Sequence, residues 1–268
     1  MPDLFAALDR DGFAVLPAAL SASEVDHLLL AVEPFLAALG RVKGGVRDVF
    51  ARVPAVRAVA ASPLLRRLAE PVLGADCVAV NATLFDKADG RNWKVPYHQD
   101  VTIRVRERRP VPGFETWWEK DRVPHVWPPA AVLERMLAVR VHLDDCGPDN
   151  GPLRVLPSSH RDGILSAEQI EDWKGRVAEQ TLTVGRGGVV LMRPLLLHAS
   201  STAAAPARRR VLHVEYAAPE LPGGLAWYDA VRGRSTPSPR PPSYEGRGSK
   251  GRRVRARDAV PGGARSET

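Results

Sequence analysis

Residues 97–105 read YHQDVTIRV, a stretch rich in β-forming side chains in which a histidine and an aspartate stand two positions apart. Successive side chains of a β-strand point to opposite faces, so positions 98 and 100 are predicted to share one face. The stretch therefore predicts a strand that carries the imidazole of His98 and the carboxylate of Asp100 into the interior of the fold.

Short runs with strand character recur after residue 77, separated by turn-forming clusters such as GPDNG (147–151) and GRGG (185–188). These runs are CVAVNATLF (77–85), MLAVRVHLDD (136–145), LRVLPSS (153–159), QTLTV (180–184), GGVVLMRP (187–194), LLLHASS (195–201) and RRRVLHVEYA (208–217). Many short strands with turn signals between them predict a mainly β fold, a barrel or a jelly roll.

The N-terminal part has a helical pattern and is predicted to pack outside the sheets. Ser21 and Glu24 form a capping-box pair before a predicted helix at 25–39, and a second helix is predicted at 63–73. Residues 110–129 contain several Pro and Trp but show no period. We interpret them as a long ordered loop, which in a compact domain usually has a functional role.

The net charge of +7 is concentrated in the last part of the chain. Residues 231–268 contain ten Lys and Arg against three Asp and Glu, whereas residues 1–230 contain 28 of each. The tail has almost no large apolar residues, so we predict a folded domain at 1–230 and a disordered basic tail at 231–268. Nucleic-acid binding through the tail is an alternative, but the tail lacks interleaved aromatic residues for base stacking.

Several protein classes are excluded by simple patterns. No apolar run reaches the roughly 18 residues of a membrane-spanning helix, and the first residues do not resemble a signal segment. The sequence therefore predicts a cytoplasmic protein without membrane contact. The two cysteines, Cys77 and Cys146, are far apart and belong to no CxxC motif, which argues against a cysteine zinc site or a disulfide framework.

A third candidate ligand follows the apolar run at 189–197. His198 ends this run, which is predicted to be buried strand on either side of Pro194. Two imidazoles and one carboxylate form the facial ligand set of non-haem Fe(II) oxygenases, which leaves coordination positions open for other molecules. Each residue alone is weak evidence, but the three together predict a metal centre.

Three consecutive arginines, Arg208 to Arg210, begin the last predicted strand. An arginine pairs with a carboxylate through two parallel hydrogen bonds, which suits a ligand with a free carboxylate. Strand alternation allows only some of the three to point inward and does not by itself select one. Ser200, two residues after His198, could donate its hydroxyl to the same carboxylate.

Four segments together resemble the phytanoyl-CoA dioxygenase family over about residues 5–228. They are DGFAVLPAALSASEV (11–25), WKVPYHQD (93–100), DNGPLRVLPSSH (149–160), and LLLHASS with RRRVLHVEYA. The resemblance implies a double-stranded β-helix, a cupin-like jelly roll, in which His98, Asp100 and His198 bind Fe(II). It also places Arg209, eleven residues after the distal histidine, on the far carboxylate of 2-oxoglutarate, and it places Thr83, Arg140 and Ser200 beside the same cosubstrate.

The activity implied by this resemblance is that of an Fe(II)- and 2-oxoglutarate-dependent dioxygenase. Such an enzyme uses O2, releases succinate and CO2, and hydroxylates a small organic substrate; desaturation, epimerisation and cyclisation are alternative outcomes. Halogenating relatives lack the carboxylate ligand, so Asp100 favours hydroxylation. The sequence indicates neither the substrate nor the oligomeric state.

Other polar and aromatic residues have two interpretations each. Some precede the predicted metal strand and could line the pocket or anchor a loop: Lys87, Asn92 and Trp93. Others could form a lid or pack on the scaffold: Trp117, Trp118, His125 and Trp127. Arg47 could meet an acidic group or be an ordinary surface charge, and His160 could lie at the substrate mouth or on the surface.

Overall fold

A computed structural model of the chain describes residues 2–39, 45–88, 92–204 and 208–233. Most of its helices precede the strands: α1 Pro2–Asp11, α2 Ala22–Leu39, α3 Val49–Arg52, α4 Pro54–Ala60, α5 Pro63–Leu73, α6 Ala130–Leu133 and α7 Ala167–Arg176. The strands are β1 Phe13–Leu16, β2 Gly45–Val46, β3 Val78–Lys87, β4 Val95–His98, β5 Ile103–Arg104, β6 Glu115–Lys120, β7 Val123–Trp127, β8 Met136–His142, β9 Leu153–Val155, β10 Gln180–Leu182, β11 Val189–Met192, β12 His198–Ser200 and β13 Arg209–Ala217.

Two antiparallel sheets form the framework. The larger has the strand order β1-β11-β8-β13-β3-β2 and the smaller the order β10-β9-β12-β4. Side chains from both sheets line one cavity, so the sheets face each other across it. This arrangement confirms the predicted mainly β jelly roll with N-terminal helices.

Alternation along β13 shows how the larger sheet separates its two faces. Leu212, Val214 and Tyr216 are fully buried in the core that the sheet forms with helices α1 to α5. Arg209 and His213 lie on the opposite face and line the cavity. Because side chains of a strand alternate, one strand supplies both the apolar contact to the helices and the polar wall of the cavity.

The helical predictions agree with the structure. Helix α5 spans the predicted residues, and α2 begins a few residues before the predicted start. The capping pair is present, since the Glu24 carboxylate accepts hydrogen bonds from the Ser21 backbone N–H and hydroxyl, each 2.8 Å long. The Ser21 hydroxyl in turn accepts from the Glu24 backbone N–H at 3.3 Å. Both cysteines are free and buried.

The prediction of a long ordered loop at 110–129 was wrong for residues 115–127. Strands β6 and β7 form a hairpin that joins β5 in a third, three-stranded sheet. The turn residues Asp121 and Arg122 both have positive φ angles, 55° and 62°, a conformation usually supplied by Asn or Gly. Most of β6 is exposed, so the hairpin lacks both the turn residues and the apolar alternation that reveal a strand pair in a sequence.

Nearly all of the predicted basic tail, from residue 234 onward, lies outside the described residues. Val231, the first residue of the predicted tail, is buried and exchanges backbone hydrogen bonds with Ala79 at 2.8 and 3.0 Å. Within the described part of the chain, no helix is long and apolar enough to cross a membrane.

Candidate metal centre

The three predicted ligands meet at one end of the smaller sheet. His98 ends β4, His198 begins β12, and Asp100 follows β4 by two residues. The His98 Nε2 lies 3.7 Å from one Asp100 carboxylate oxygen, and the His198 Nε2 lies 3.6 Å from the other. One ligand atom from each residue lies within 4.8 Å of the other two, which is close enough for a single ion to contact all three.

Backbone carbonyls fix how the two imidazoles present their nitrogens. The Nδ1 of His98 lies 2.9 Å from the Pro96 carbonyl oxygen, and the Nδ1 of His198 lies 2.9 Å from the Leu196 carbonyl oxygen. A carbonyl can only accept a hydrogen bond, so each Nδ1 carries a proton, and in the neutral ring the lone pair is then on Nε2. Both lone pairs are thus available on the side of Asp100.

The protonation states also suit metal ligation. Burial lowers the pKa of His198 to about 3, so this imidazole is neutral at physiological pH. Burial alone would raise the pKa of Asp100, but its electrostatic interactions with the nearby histidines, first His198, and with Arg140 outweigh that effect and hold its pKa below the usual value. A neutral imidazole and an ionised carboxylate are the forms that bind a divalent cation.

Asp100 does not lie on a strand, which differs from the predicted register. Strand β4 stops at His98, and the Asp100 backbone N–H donates to the Pro194 carbonyl at 2.9 Å. Asp100 therefore faces His98 because of the loop that follows β4, and strand alternation does not set the direction of its side chain. The apolar run 189–197 is likewise split into β11 and a turn before His198.

Gln99, which the sequence analysis did not single out, holds this loop. Its buried amide nitrogen donates to the carbonyls of Leu195 and Gly163 at 2.6 and 2.8 Å, and its amide oxygen accepts from the Leu165 backbone N–H at 2.8 Å. These three hydrogen bonds connect the ligand loop to the turn before His198. A polar residue between two ligands was the only signal for it in the sequence.

The structure decides which of the three consecutive arginines points inward. Arg208 forms ion pairs with Glu33 and Asp86, and Arg210 forms ion pairs with Asp144 and Glu33, both outside the cavity. Arg209 is buried and lines the cavity. Its Nη1 donates to the Gly151 carbonyl, whereas its Nε has no hydrogen-bond partner among the described residues.

A buried lysine lies close to Arg209. The Lys87 ammonium donates to the Ser200 hydroxyl at 3.1 Å and to the Ser201 carbonyl at 2.9 Å, and it lies over the Trp93 ring. Burial, reinforced by the positive charge of Arg209, lowers the pKa of Lys87 to about 8. Neutral partners alone do not balance a buried ammonium, so this part of the cavity is short of negative charge.

Arg140 adds a third buried cation, and Thr83 lies nearby. The Arg140 Nη1 is 2.9 Å from the His213 Nδ1, its guanidinium lies over the Phe85 ring, and its Nε has no partner among the described residues. Burial, followed by the charge of Arg209, lowers the pKa of Arg140 to about 10. Thr83 is buried, pairs with His213 across β3 and β13, and lines the same cavity.

One cavity of about 600 Å³ contains all seven predicted site residues. Lys87, Trp93 and Arg47 also line it, as do Trp118, His125 and Trp127. The remaining candidates have structural positions.

Asn92 anchors its loop through two hydrogen bonds with the Ala203 backbone, 2.8 and 2.9 Å long. Trp117 packs against the apolar cluster behind the hairpin, and the His160 ring lies against Gly12, away from the cavity.

The residues present fit a ferrous ion and a dicarboxylate. Two imidazole nitrogens and one carboxylate are the donor set of mononuclear non-haem iron sites, and together they leave coordination positions open. The buried and partly unpartnered guanidiniums of Arg209 and Arg140, with the Lys87 ammonium, are suited to hold an anion in the same cavity.

Comparison with known proteins places the chain in a family. Residues 8–211 match the family model of phytanoyl-CoA dioxygenase (PhyH). An ectoine dioxygenase of Sphingopyxis alaskensis is 30% identical in an alignment 180 residues long that covers 62% of this chain and 52% of that protein. The chain thus spans about half the length of this curated relative.

Solved structures share the fold. The crystal structure of EctD from S. alaskensis with 2-oxoglutarate and 5-hydroxyectoine superposes with a TM-score of 0.62 at 25% identity, over 87% of this chain and 80% of that one. The crystal structure of SnoK, a non-haem α-ketoglutarate-dependent carbocyclase from nogalamycin biosynthesis, superposes with a TM-score of 0.65 at 17% identity, over 82% of this chain and 85% of that one. By its family match, its jelly roll and the two histidines and one aspartate gathered in its cavity, this chain belongs to the phytanoyl-CoA dioxygenase family.

Proposed function

We propose that the chain is an Fe(II)- and 2-oxoglutarate-dependent dioxygenase that hydroxylates a small organic molecule and releases succinate and CO2. The observation that carries this proposal is the convergence of His98, Asp100 and His198 within 4.8 Å, in a cavity that also contains a buried arginine. The name of the S. alaskensis relative, an ectoine dioxygenase, supports the same reaction class.

His98, Asp100 and His198 would hold the iron. When bound, Fe(II) and 2-oxoglutarate supply the activation of O2 and the two-electron oxidation of the substrate. The chain supplies the placement of the ligands: the carbonyls of Pro96 and Leu196 orient the imidazoles, and the hydrogen bonds of Gln99 hold the Asp100 loop. The carboxylate at position 100 completes a three-residue ligand set, as in hydroxylating members and unlike halogenating ones.

Arg209 would bind the far carboxylate of 2-oxoglutarate. It is buried, lines the cavity and keeps its Nε free of any partner among the described residues, so it can offer a charged hydrogen bond. The Ser200 hydroxyl, which accepts a hydrogen bond from Lys87, can donate its own proton to the same carboxylate.

Lys87 would be a second cation for this carboxylate, and Arg140 and Thr83 would border the cosubstrate on the larger sheet. The cavity is lined by two carboxylates, Asp100 and Glu215, of which Asp100 is assigned to the metal. A dianion beside Lys87, Arg140 and Arg209 would therefore balance charges that the chain itself leaves unbalanced.

The proposal is tested with the full-length chain in two stages. Anaerobic titration with Fe(II) and then 2-oxoglutarate is expected to give one metal site, and a visible charge-transfer band that depends on both. Aerobic incubation with candidate small molecules is then expected to give succinate in proportion to product. A chain that binds no Fe(II) at the triad, or forms no ternary complex with 2-oxoglutarate, would refute the proposal.

We also propose that the catalytic domain corresponds to residues 1–230 and that the basic tail from 231 to 268 is not part of it. Among the described residues, those that line the cavity all precede residue 231. The pairing of Val231 with Ala79 supports moving the end of the domain a few residues further along the chain.

A further inference from the structure

The hairpin formed by β6 and β7 presents one face to the cavity that contains the metal ligands. This face carries Thr116, Trp118 and Lys120 from β6, and His125 and Trp127 from β7. Their spacing by two residues on each strand is that of side chains sharing one face. The hairpin therefore forms one wall of the cavity that contains the candidate metal ligands.

Two tryptophans on this face are exposed. Trp118 is 38% exposed and Trp127 is 40% exposed, whereas Trp117 of the same strand packs into the apolar cluster behind the hairpin. The His125 ring stacks on Trp118 with centroids 5.5 Å apart and an interplanar angle of 18°. Exposed flat rings that line a cavity favour a flat ligand, because aromatic stacking adds to the burial of apolar surface.

Two cations without a carboxylate partner line the same cavity near the hairpin. Among the described residues, neither Arg47 nor Lys120 forms an ion pair, and both line the cavity. They also border a small adjoining recess together with His125. Burial lowers the pKa of His125, and the positive charges of Arg104, Arg47 and Lys120 lower it further.

Most of the nearby acidic groups have a cationic partner, but Asp121, which borders the adjoining recess, forms no ion pair among the described residues. Asp48 accepts a hydrogen bond from Arg104, and that arginine also pairs with Asp229 at 3.6 Å. Deeper in the cavity, Glu215 lies 3.2 Å from His213 and 3.3 Å from the Asn81 amide nitrogen. The two positive charges of Arg47 and Lys120 exceed the single negative charge of Asp121, so this part of the cavity can still attract an anionic ligand.

We propose that the substrate is an organic anion with a planar unsaturated ring system, the ring lying against Trp118 and Trp127 and the anionic group facing Arg47 and Lys120. This inference rests on the proposed function, since it assigns the substrate of the same site. The cavity-facing side of the hairpin would then select the substrate, whereas the buried cations around Arg209 would bind the cosubstrate.

The test uses calorimetric titration of the full-length chain loaded with Fe(II) and saturating 2-oxoglutarate under nitrogen, so that the deeper cations are occupied. The probes are naphthalene-2-carboxylate, its neutral counterpart naphthalene-2-methanol, and cyclohexanecarboxylate, which has the charge but no flat ring. We expect the naphthalene acid to bind about tenfold or more tightly than either of the others.

Variants assign the preference to the hairpin wall. Lys120→Ala and Arg47→Ala should each weaken binding of naphthalene-2-carboxylate about three- to tenfold and leave binding of naphthalene-2-methanol unchanged. Lys120→Arg should retain the affinity for the acid. Trp118→Leu should weaken the binding of both naphthalene compounds. Arg135→Ala, an exposed cation that does not line the cavity, is the matched control and should change nothing.

Equal binding of the acid and the alcohol, or no detectable binding of either, would overturn the inference, as would unchanged affinity in both cation variants. The same titrations report 2-oxoglutarate binding before any probe is added. If 2-oxoglutarate fails to bind, the proposed function fails. If it binds and the probes show no preference for the planar anion, only the assignment of the substrate class fails.

Discussion

His98 and His198 lie directly opposite each other in the antiparallel strands β4 and β12, with ring centroids 4.2 Å apart. A hundred residues separate them in the chain, and one pair of strands brings them together. Asp100 reaches the same point from the loop after β4. The approach of the two imidazoles therefore depends on the register of one short strand pair.

Removing a metal ligand should abolish metal-dependent turnover. In His98→Ala and Asp100→Ala, Fe(II) loses one of three protein ligands, and we expect succinate formation to fall to background. Equilibrium dialysis with Fe(II) under nitrogen should show the lost site directly. His27→Ala changes an exposed histidine on α2 and should behave like the unmodified chain. Near-native activity in either ligand variant would disprove the assignment.

Arg209→Ala should weaken 2-oxoglutarate binding about 10- to 100-fold with little change in Fe(II) affinity, because a buried charged hydrogen bond contributes roughly 1.5–3 kcal/mol. Titration of the Fe(II)-loaded variant with 2-oxoglutarate measures this. Arg208→Ala is the neighbouring control, since Arg208 pairs with Glu33 and Asp86 outside the cavity. Arg208→Ala should lower stability and leave the affinity for 2-oxoglutarate unchanged. If Arg208→Ala weakened 2-oxoglutarate binding and Arg209→Ala did not, the assignment of Arg209 would be wrong.

Lys87 should make 2-oxoglutarate affinity depend on pH. Its pKa is lowered to about 8, so the ammonium is charged below that pH and loses its charge above it. Affinity should therefore decline as pH rises through about 8 in the unmodified chain, and much less in Lys87→Arg. Lys87→Met should bind about tenfold more weakly at pH 7 and lose this pH dependence. A flat profile in the unmodified chain would exclude Lys87 from the cosubstrate site.

The same lysine should affect stability with the opposite sign. Its folded-state pKa of about 8 lies below the ordinary value of 10.5, so the unfolded chain binds more protons between these two values. The free energy of unfolding of the unmodified chain should then rise, relative to Lys87→Met, as pH increases from about 8 to 10.5. Urea unfolding of both proteins at a series of pH values measures the difference.

Gln99 should act as a positioning residue for the metal ligands. Without its three side-chain hydrogen bonds, the Asp100 loop is less tightly held against the turn before His198. Gln99→Ala should weaken Fe(II) binding about tenfold while a near-saturating metal concentration restores much of the turnover. A purely structural role would lower the melting temperature without altering metal affinity in the folded protein.

Truncation should locate the end of the catalytic domain. A chain ending at Gly233 keeps every described residue, and we expect it to retain Fe(II) and 2-oxoglutarate affinity. A chain ending at Ala230 loses the backbone pair between Val231 and Ala79 and should melt at a lower temperature. If the longer truncated chain were inactive, the tail would belong to the catalytic domain.

The amino-acid sequence alone predicted the jelly roll and the three side chains, His98, Asp100 and His198, that the structure brings within reach of one ion. Alternating strands, turn clusters and a capping pair are local signals, and family spacing selected Arg209 among three neighbours. The hairpin at 115–127 escaped prediction because its turn uses Asp121 and Arg122 in a left-handed conformation and its strand β6 is mostly exposed.

Only the tertiary structure decided how Asp100 faces His98, since β4 ends before it and a loop held by Gln99 turns it back. It also decided that Lys87 lies beside Ser200, a contact between residues 113 positions apart. Such contacts depend on which strands pair and on where loops are tied, and these are non-local properties. Local sequence patterns indicate the secondary structure that each segment favours, whereas the packing of the segments determines which side chains come into contact.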